Sequence, residues 1–160
     1  MNPELTTLIN QIGEDRVLRV LKRHTRRKPD NARIKLDELR KTGIYPDCPE
    51  LAEILPWLED MQMVDRFGKP LRLQGLEAIR SKSRKQDIVN VRAVLANYLY
   101  CECRMKSVDI GIQLGLRDHS TISHNLGMFR DTIGTDKRLK FINNSLNEWL
   151  DSKNNLSDSQ

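Results

Sequence analysis

The sequence predicts a mainly α-helical chain in which residues 81–150 form a helix-turn-helix domain, preceded by a small, mostly helical region with one candidate β-hairpin. Three observations carry this. All six prolines lie between Pro3 and Pro70, so no proline interrupts the rest of the chain. Beyond residue 80 the apolar residues recur three and four apart, the spacing of a buried helical stripe. Gly111 and Gly115, followed by the polar run Arg117 to Ser123, then give the glycine and turn pattern that joins two short helices.

The elements follow in order. Leu5, Leu8, Ile9 and Ile12 suggest a first short helix. Val17, Leu18, Val20 and Leu21 suggest a second, ending in the basic cluster Lys22 to Lys28 before Pro29. A third is expected from about Ile34 to Lys41, stopping at Gly43, and Leu51, Ile54, Leu55, Leu58 and Met61 mark a fourth that Pro56 kinks or begins. Residues 63–73 read as an apolar run, a Gly-Lys-Pro turn and an alternating return, which could be a hairpin. Helices followed by such a hairpin could make a winged helix or belong to an unrelated helical adaptor.

The drop in proline places a domain boundary near residue 80. Beyond it, Ile88, Val91, Leu95, Tyr98 and Leu99 share one face of a long helix from about Asp87 to Cys103. Val108, Gly111, Ile112 and Leu114 belong to a shorter helix, and Gly115-Leu116-Arg117 forms a turn. Asp118 or His119 starts the next helix, with Ile122, Leu126 and Phe129 inward and an end by Gly134. Leu139, Ile142, Leu146, Trp149 and Leu150 line a closing helix, and the polar tail 151–160 is expected to fray.

A 38% hydrophobic and 31% charged composition suits a soluble globular chain able to bury a core. No apolar run approaches the roughly 20 residues that cross a bilayer, and the first residues lack the basic-then-apolar order of a signal peptide, so a cytoplasmic protein is expected. The cysteines, Cys48, Cys101 and Cys103, do not match zinc-knuckle spacing and are expected to be reduced thiols, the last two packing groups on one helix. Twenty-seven Lys and Arg against 22 Asp and Glu leave a net charge of +5, which favours a polyanionic partner without naming one. The more telling feature is clustering, at Lys22 to Lys28 and at Ser81-Lys82-Ser83-Arg84-Lys85.

Function is concentrated between Ser107 and Leu126. Ile110 and Leu114 would pack inward, Gly111 would permit close approach of the next helix, and Gly115 would end its own helix in a left-handed conformation. Short polar side chains and one arginine then surround the start of the next helix, whose free amides and dipole favour phosphate. Such a helix end fits the major groove, where Asp, His, Ser and Thr can reach base edges.

The run Gly115-Leu116-Arg117-Asp118-His119-Ser120-Thr121-Ile122-Ser123-His124 resembles the signature at the DNA-binding end of the bacterial replication initiator family DnaA, commonly Gly-Gly-Arg-Asp-His-Thr-Thr-Val-Leu-His. Asp109-Ile110-Gly111 is similar to that family's Glu-Ile-Gly, and Arg84-Lys85 through Arg92 to its basic loop and helix start. The resemblance covers about 70 residues and implies a fold of the DnaA and Trp-repressor helix-turn-helix kind. It implies that Asp118, His119 and Ser120 read bases in the major groove, that Arg84 enters the adjacent minor groove, and that Lys82, Arg92, Lys106, Arg117 and Thr121 hold phosphates. Val91, Ala93, Val108 and Ser123 replace residues usual in the family, which bears on the exact target sequence.

Other classes fare worse. The family's ATPase module needs a Gly-x-x-x-x-Gly-Lys-Ser/Thr loop, and here the only Gly-Lys pair, Gly68-Lys69, is followed by Pro70, so no nucleotide is expected to bind. His119 and His124 project about 140° apart on a helix, which argues against a shared metal, and no enzymatic cofactor is implied. Double-stranded DNA is the expected partner, with RNA binding or protein docking through the same basic surface as the alternative. Residues 1–80 could bind a partner, self-associate or add a DNA contact through Lys22 to Lys28.

Overall fold

The computed structural model describes the backbone of residues 31–159 and the side chains of residues 34–159. The two helices expected before residue 30 and the Lys22 to Lys28 cluster lie outside the described residues. Packing divides the chain between Lys35 and Leu36, and the larger unit, residues 36–160, holds the hydrophobic core.

Among the described residues there are seven helices: α1 Asn31–Thr42, α2 Pro49–Asp60, α3 Gly75–Arg80, α4 Gln86–Cys101, α5 Ser107–Gln113, α6 His119–Thr132 and α7 Lys137–Ser157. The chain is mainly α, as the sequence predicts. Gly43, at φ 66°, ends α1 in the left-handed conformation, its amide donating to Leu39 O at 2.9 Å. In α2, Pro49 takes the first turn, where its missing N–H is no loss, while Pro56 sits inside the helix rather than starting it.

The candidate hairpin is reduced to one antiparallel bridge, Val64 with Pro70, closed by Leu71 N to Met63 O at 2.9 Å and Asp65 N to Lys69 O at 2.8 Å. Proline at the bridge removes a ladder donor, so the pairing does not extend into strands.

Helix α4 is the centre of the unit, packed against α3, α5, α6 and α7. The single apolar stripe expected there understates its burial. Ile88, Val91, Ala93, Val94, Leu95, Ala96 and Leu99 are all buried, and so are Asp87, Asn90 and Arg92. Each polar group has an answer in the fold: Asp87 pairs with Arg138, Asn90 Oδ1 accepts from Gln86 Nε2 at 2.9 Å, and Arg92 donates to backbone carbonyls. Among the described residues no buried side-chain nitrogen or oxygen lacks a hydrogen-bond partner.

One hydrophobic cluster runs from Leu51, Ile54, Trp57 and Leu58 of α2 through Ala78 and Ile79 of α3 to Ile88, Ile110, Ile122 and Leu146. Each fully buried Leu or Ile contributes about 1.5–3 kcal/mol, so a core this continuous binds the elements on either side of residue 80 together. The boundary drawn from the prolines therefore does not coincide with a break in packing. Prolines mark irregular backbone between helices, and the helices themselves still share a core.

Helix α7 also outlasts its expected end near Leu150, continuing to Ser157. On this extension Lys153 lies 3.4 Å from Glu53 Oε1 and 5.1 Å from the Trp149 ring centroid. The three cysteines are free; Cys103, expected on the same helix as Cys101, lies beyond the end of α4 and packs beside the core, whereas Cys101, expected as a packing group, is exposed. No described helix is long and apolar enough to cross a membrane.

Candidate nucleic-acid interface

Two short helices and the turn between them are built as the glycines require. After α5, Leu114 N donates to Ile110 O at 3.0 Å and Arg117 N to Gly111 O at 2.8 Å, so the chain folds back over the helix it has just left. A Cβ on Gly111 would collide with the carbonyl oxygen of Arg117, which makes glycine a packing necessity. The close approach expected at Gly111 is thus made by the turn itself, with Ile122 of α6 just beyond. Gly115 has φ 112° and a Cβ there would lie 2.9 Å from Arg80 O. Leu116 follows at φ 56°, a left-handed conformation that a leucine adopts at a cost of roughly 1–2 kcal/mol.

Asp118 caps α6. Its Oδ1 accepts from Thr121 N at 2.9 Å, Thr121 Oγ1 at 3.0 Å and Ser120 Oγ at 2.6 Å. The Ser120 hydroxyl and the two Thr121 donors hold the exposed carboxyl down at about 2, so it is ionised at neutral pH. None of those bonds uses Oδ2. Asp118, His119, Ser120, Ser123 and His124 are exposed, while Ile122, Asn125 and Phe129 point into the core. The first turn of α6 therefore presents a short polar surface outward, and no long side chain there would keep a groove at a distance.

The basic loop lies against this turn. Arg117 Nη2 donates to Ser81 O at 2.7 Å and its Nε to Leu114 O at 3.0 Å, so the arginine joins the loop to the helix pair. Lys82, Arg84 and Lys85 project from the loop into solvent, and Lys106 is exposed at the entry to α5. Thr121 is half-buried, with its hydroxyl on Asp118.

Arg92 departs from its expected place at a phosphate, because it is only 4% exposed. Its guanidinium donates to Ile79 O at 2.8 Å, Ser83 O at 2.6 Å and Ser81 O at 2.5 Å. Burial, with Arg117 nearby, pulls its pKa to about 10, which leaves it charged at neutral pH. Arg92 shapes the 78–83 backbone from within and cannot meet a phosphate without leaving that cage.

Two braces were not evident in the sequence. Arg40 Nη2 donates to Leu116 O at 2.9 Å. Arg80 donates to Gln113 O at 3.0 Å and stacks on the Tyr45 ring, 3.6 Å from its centroid. Both arginines come from distant parts of the chain, and no local pattern distinguishes them from ordinary surface cations.

Residues 75–127 match the family model described as the bacterial dnaA protein helix-turn-helix. This segment is a DnaA-type helix-turn-helix. Relatives named chromosomal replication initiator protein DnaA match over about half of the chain. The protein from Flavobacterium psychrophilum is 31% identical over 75 residues, which are 47% of this chain and 16% of the relative. That from Herpetosiphon aurantiacus is 35% identical over 92 residues, 56% of this chain and 20% of the relative. That from Aliarcobacter butzleri is 36% identical over 77 residues, 47% of this chain and 17% of the relative. The match thus spans a fifth or less of each DnaA relative's length. No solved structure matches the chain significantly.

Proposed function

We propose that this protein binds double-stranded DNA by sequence, at a site resembling a DnaA box, with the first turn of α6 in the major groove. The observation that carries the reading is the exposed polar turn Asp118-His119-Ser120, capped and ionised, on a helix whose other face is locked into the core of a DnaA-type helix-turn-helix. Asp118 Oδ2 is placed to accept from a cytosine amino group, and His119 and Ser120 offer hydrogen bonds to neighbouring bases. Arg84 reaches the minor groove beside it, while Lys82, Lys106 and the exposed part of Arg117 approach phosphates.

The proposed role is that of a replication accessory or transcriptional regulator. A reader of DNA whose sequence holds no phosphate-binding loop can mark or block a site but does no work on it. In this scheme residues 1–80 dock a partner or a second copy of the chain.

Selection of bound sites from a random duplex library tests the reading. A recovered consensus related to the DnaA box supports it, and His119→Ala should then relax preference at one position at a cost of about 1–3 kcal/mol. Equal affinity for selected and scrambled duplexes, a preference for single-stranded RNA, or no nucleic-acid binding would each overturn it, the last leaving protein docking.

A further inference from the structure

The bridge between α2 and α3 ends in a tip that the helix-turn-helix does not use. Asp65 builds the tip from inside: its Oδ1 accepts from Phe67 N at 2.8 Å and Lys69 N at 2.9 Å, and Gly68, at φ 79°, closes the turn onto Asp65 O. Arg66, Phe67 and Lys69 are all pushed outward. Phe67 is 73% exposed, and the Arg66 guanidinium rests 4.7 Å from its ring centroid. The base of the tip is fixed to α4, since Val64 N donates to Asp87 Oδ2 at 2.8 Å and Met63 is fully buried. A rigid base and a solvated, cationic, aromatic end describe a part made for contact.

Its position names the partner. Arg66 and Phe67 line an open cleft together with Lys85 and Gln86. From Lys85 the basic loop runs back to Ser81, which is bonded to Arg117 beside the cap of α6. The tip therefore adjoins the loop that adjoins the recognition turn. The carboxylates lining the cleft are already engaged: Asp65 by the turn amides, Asp87 by Arg138 at 2.7 Å, and Asp136 by Leu139 N at 2.9 Å. The exposed charges of the tip and of the basic loop, Arg66, Lys69, Lys82, Arg84 and Lys85, are all positive.

We infer that the Arg66–Lys69 tip is a second contact with duplex DNA, a short wing that lays two cations on the phosphates flanking the groove entered by the basic loop. Phe67 holds Arg66 in place by its ring and packs against the sugar edge. The inference rests on the DNA-binding reading above and extends its footprint.

The test is the double variant Arg66→Ala/Lys69→Ala, assayed against the selected site embedded in a duplex extending about 10 base pairs, one helical turn, on each side. Each phosphate contact contributes about 0.9 to the slope of log K against log salt, so the slope should become shallower by about 1.8. The same relation gives about 5-fold per contact at about 0.15 M salt, or roughly 30-fold for both. Hydroxyl-radical protection should shorten on one flank only, the selected consensus should not change, and the melting temperature should stay that of the wild type. A variant with wild-type slope and footprint overturns the wing while leaving recognition by α6 intact. A wild-type protein that binds no duplex removes both readings at once.

Discussion

Replacing Arg92 by alanine separates an internal brace from a phosphate contact. In the fold the guanidinium makes three short bonds to the carbonyls of Ile79, Ser81 and Ser83 and a longer one, 3.3 Å, to Ala78. Charged hydrogen bonds contribute roughly 1.5–3 kcal/mol each, and the low end applies because the four acceptors share one cation. Removing it takes the guanidinium from Ile79 O and Ser83 O, while Ser81 O keeps Arg117 and Ala78 O keeps Ser81, and empties part of the space under α3, which together should destabilise the unit by about 3–5 kcal/mol. With a urea m-value of about 2 kcal/mol/M, the unfolding midpoint should fall by about 2 M. Arg92→Gln, which loses the charge but can still donate to a carbonyl, should fall between, and it preserves the test if the alanine variant fails to fold. Measured on folded protein, the salt dependence of DNA binding should be unchanged in Arg92→Gln. A variant with an unaltered midpoint and a salt slope shallower by about one would refute the reasoning, because that is the signature of a lost phosphate contact.

Three further outcomes are expected from the same geometry. Asp118→Ala removes the cap of α6 and should destabilise by about 0.5–2 kcal/mol; because the carboxyl is held below its usual 3.8 at about 2, the cap's contribution is full above about pH 4 and fades as pH falls toward 2. Wild-type and variant melting temperatures should accordingly converge across that interval, and a constant gap would show that the carboxylate is not the cap. Gly111→Ala drives a methyl group into the Arg117 carbonyl and should cost about 1–3 kcal/mol in urea unfolding, whereas a neutral result would mean the turn yields freely. Asp87→Asn breaks a nearly buried pair with Arg138 and should cost about 2–3 kcal/mol, discounted from the usual figure because Arg138 is one-third exposed; hydrogen exchange at the Val64 amide should quicken, and unchanged protection there would argue against the Asp87 anchor.

The placement of most helices was legible in the sequence because it depends on period and punctuation, but the six-residue α3, Gly75–Arg80, was not expected, being too short to show a period. The Gly43 and Gly115 terminations, the Asp118 start and the inward set Ile122 and Phe129 are local signals, and local hydrogen bonding enforces them. Which charged side chains turn inward was not legible. Arg92 and Arg84 are both arginines near one basic loop, yet one is buried under carbonyls and the other is exposed, because the backbone of 78–83 curls around α4 in a way no spacing encodes. Asp87 likewise reads as an ordinary first-turn acid until α7 brings Arg138 to it from 51 residues away. The end of α7 was missed for a related reason: its last turns are polar and look like a tail, with only Lys153 reaching across the fold to Glu53.

The continuity of the core across residue 80 has a practical corollary for anyone dissecting this molecule. The family match begins at residue 75 and the recognition motif later still, but a fragment cut at either point would discard Leu51, Ile54, Trp57 and Leu58. Their loss would bare the undersides of α3 and α7, and the severed piece would meet solvent with the sticky surface of half a core. A fragment starting ahead of Pro49 would keep that cluster whole, so the helix-turn-helix shares its core with a helix that lies outside the family match.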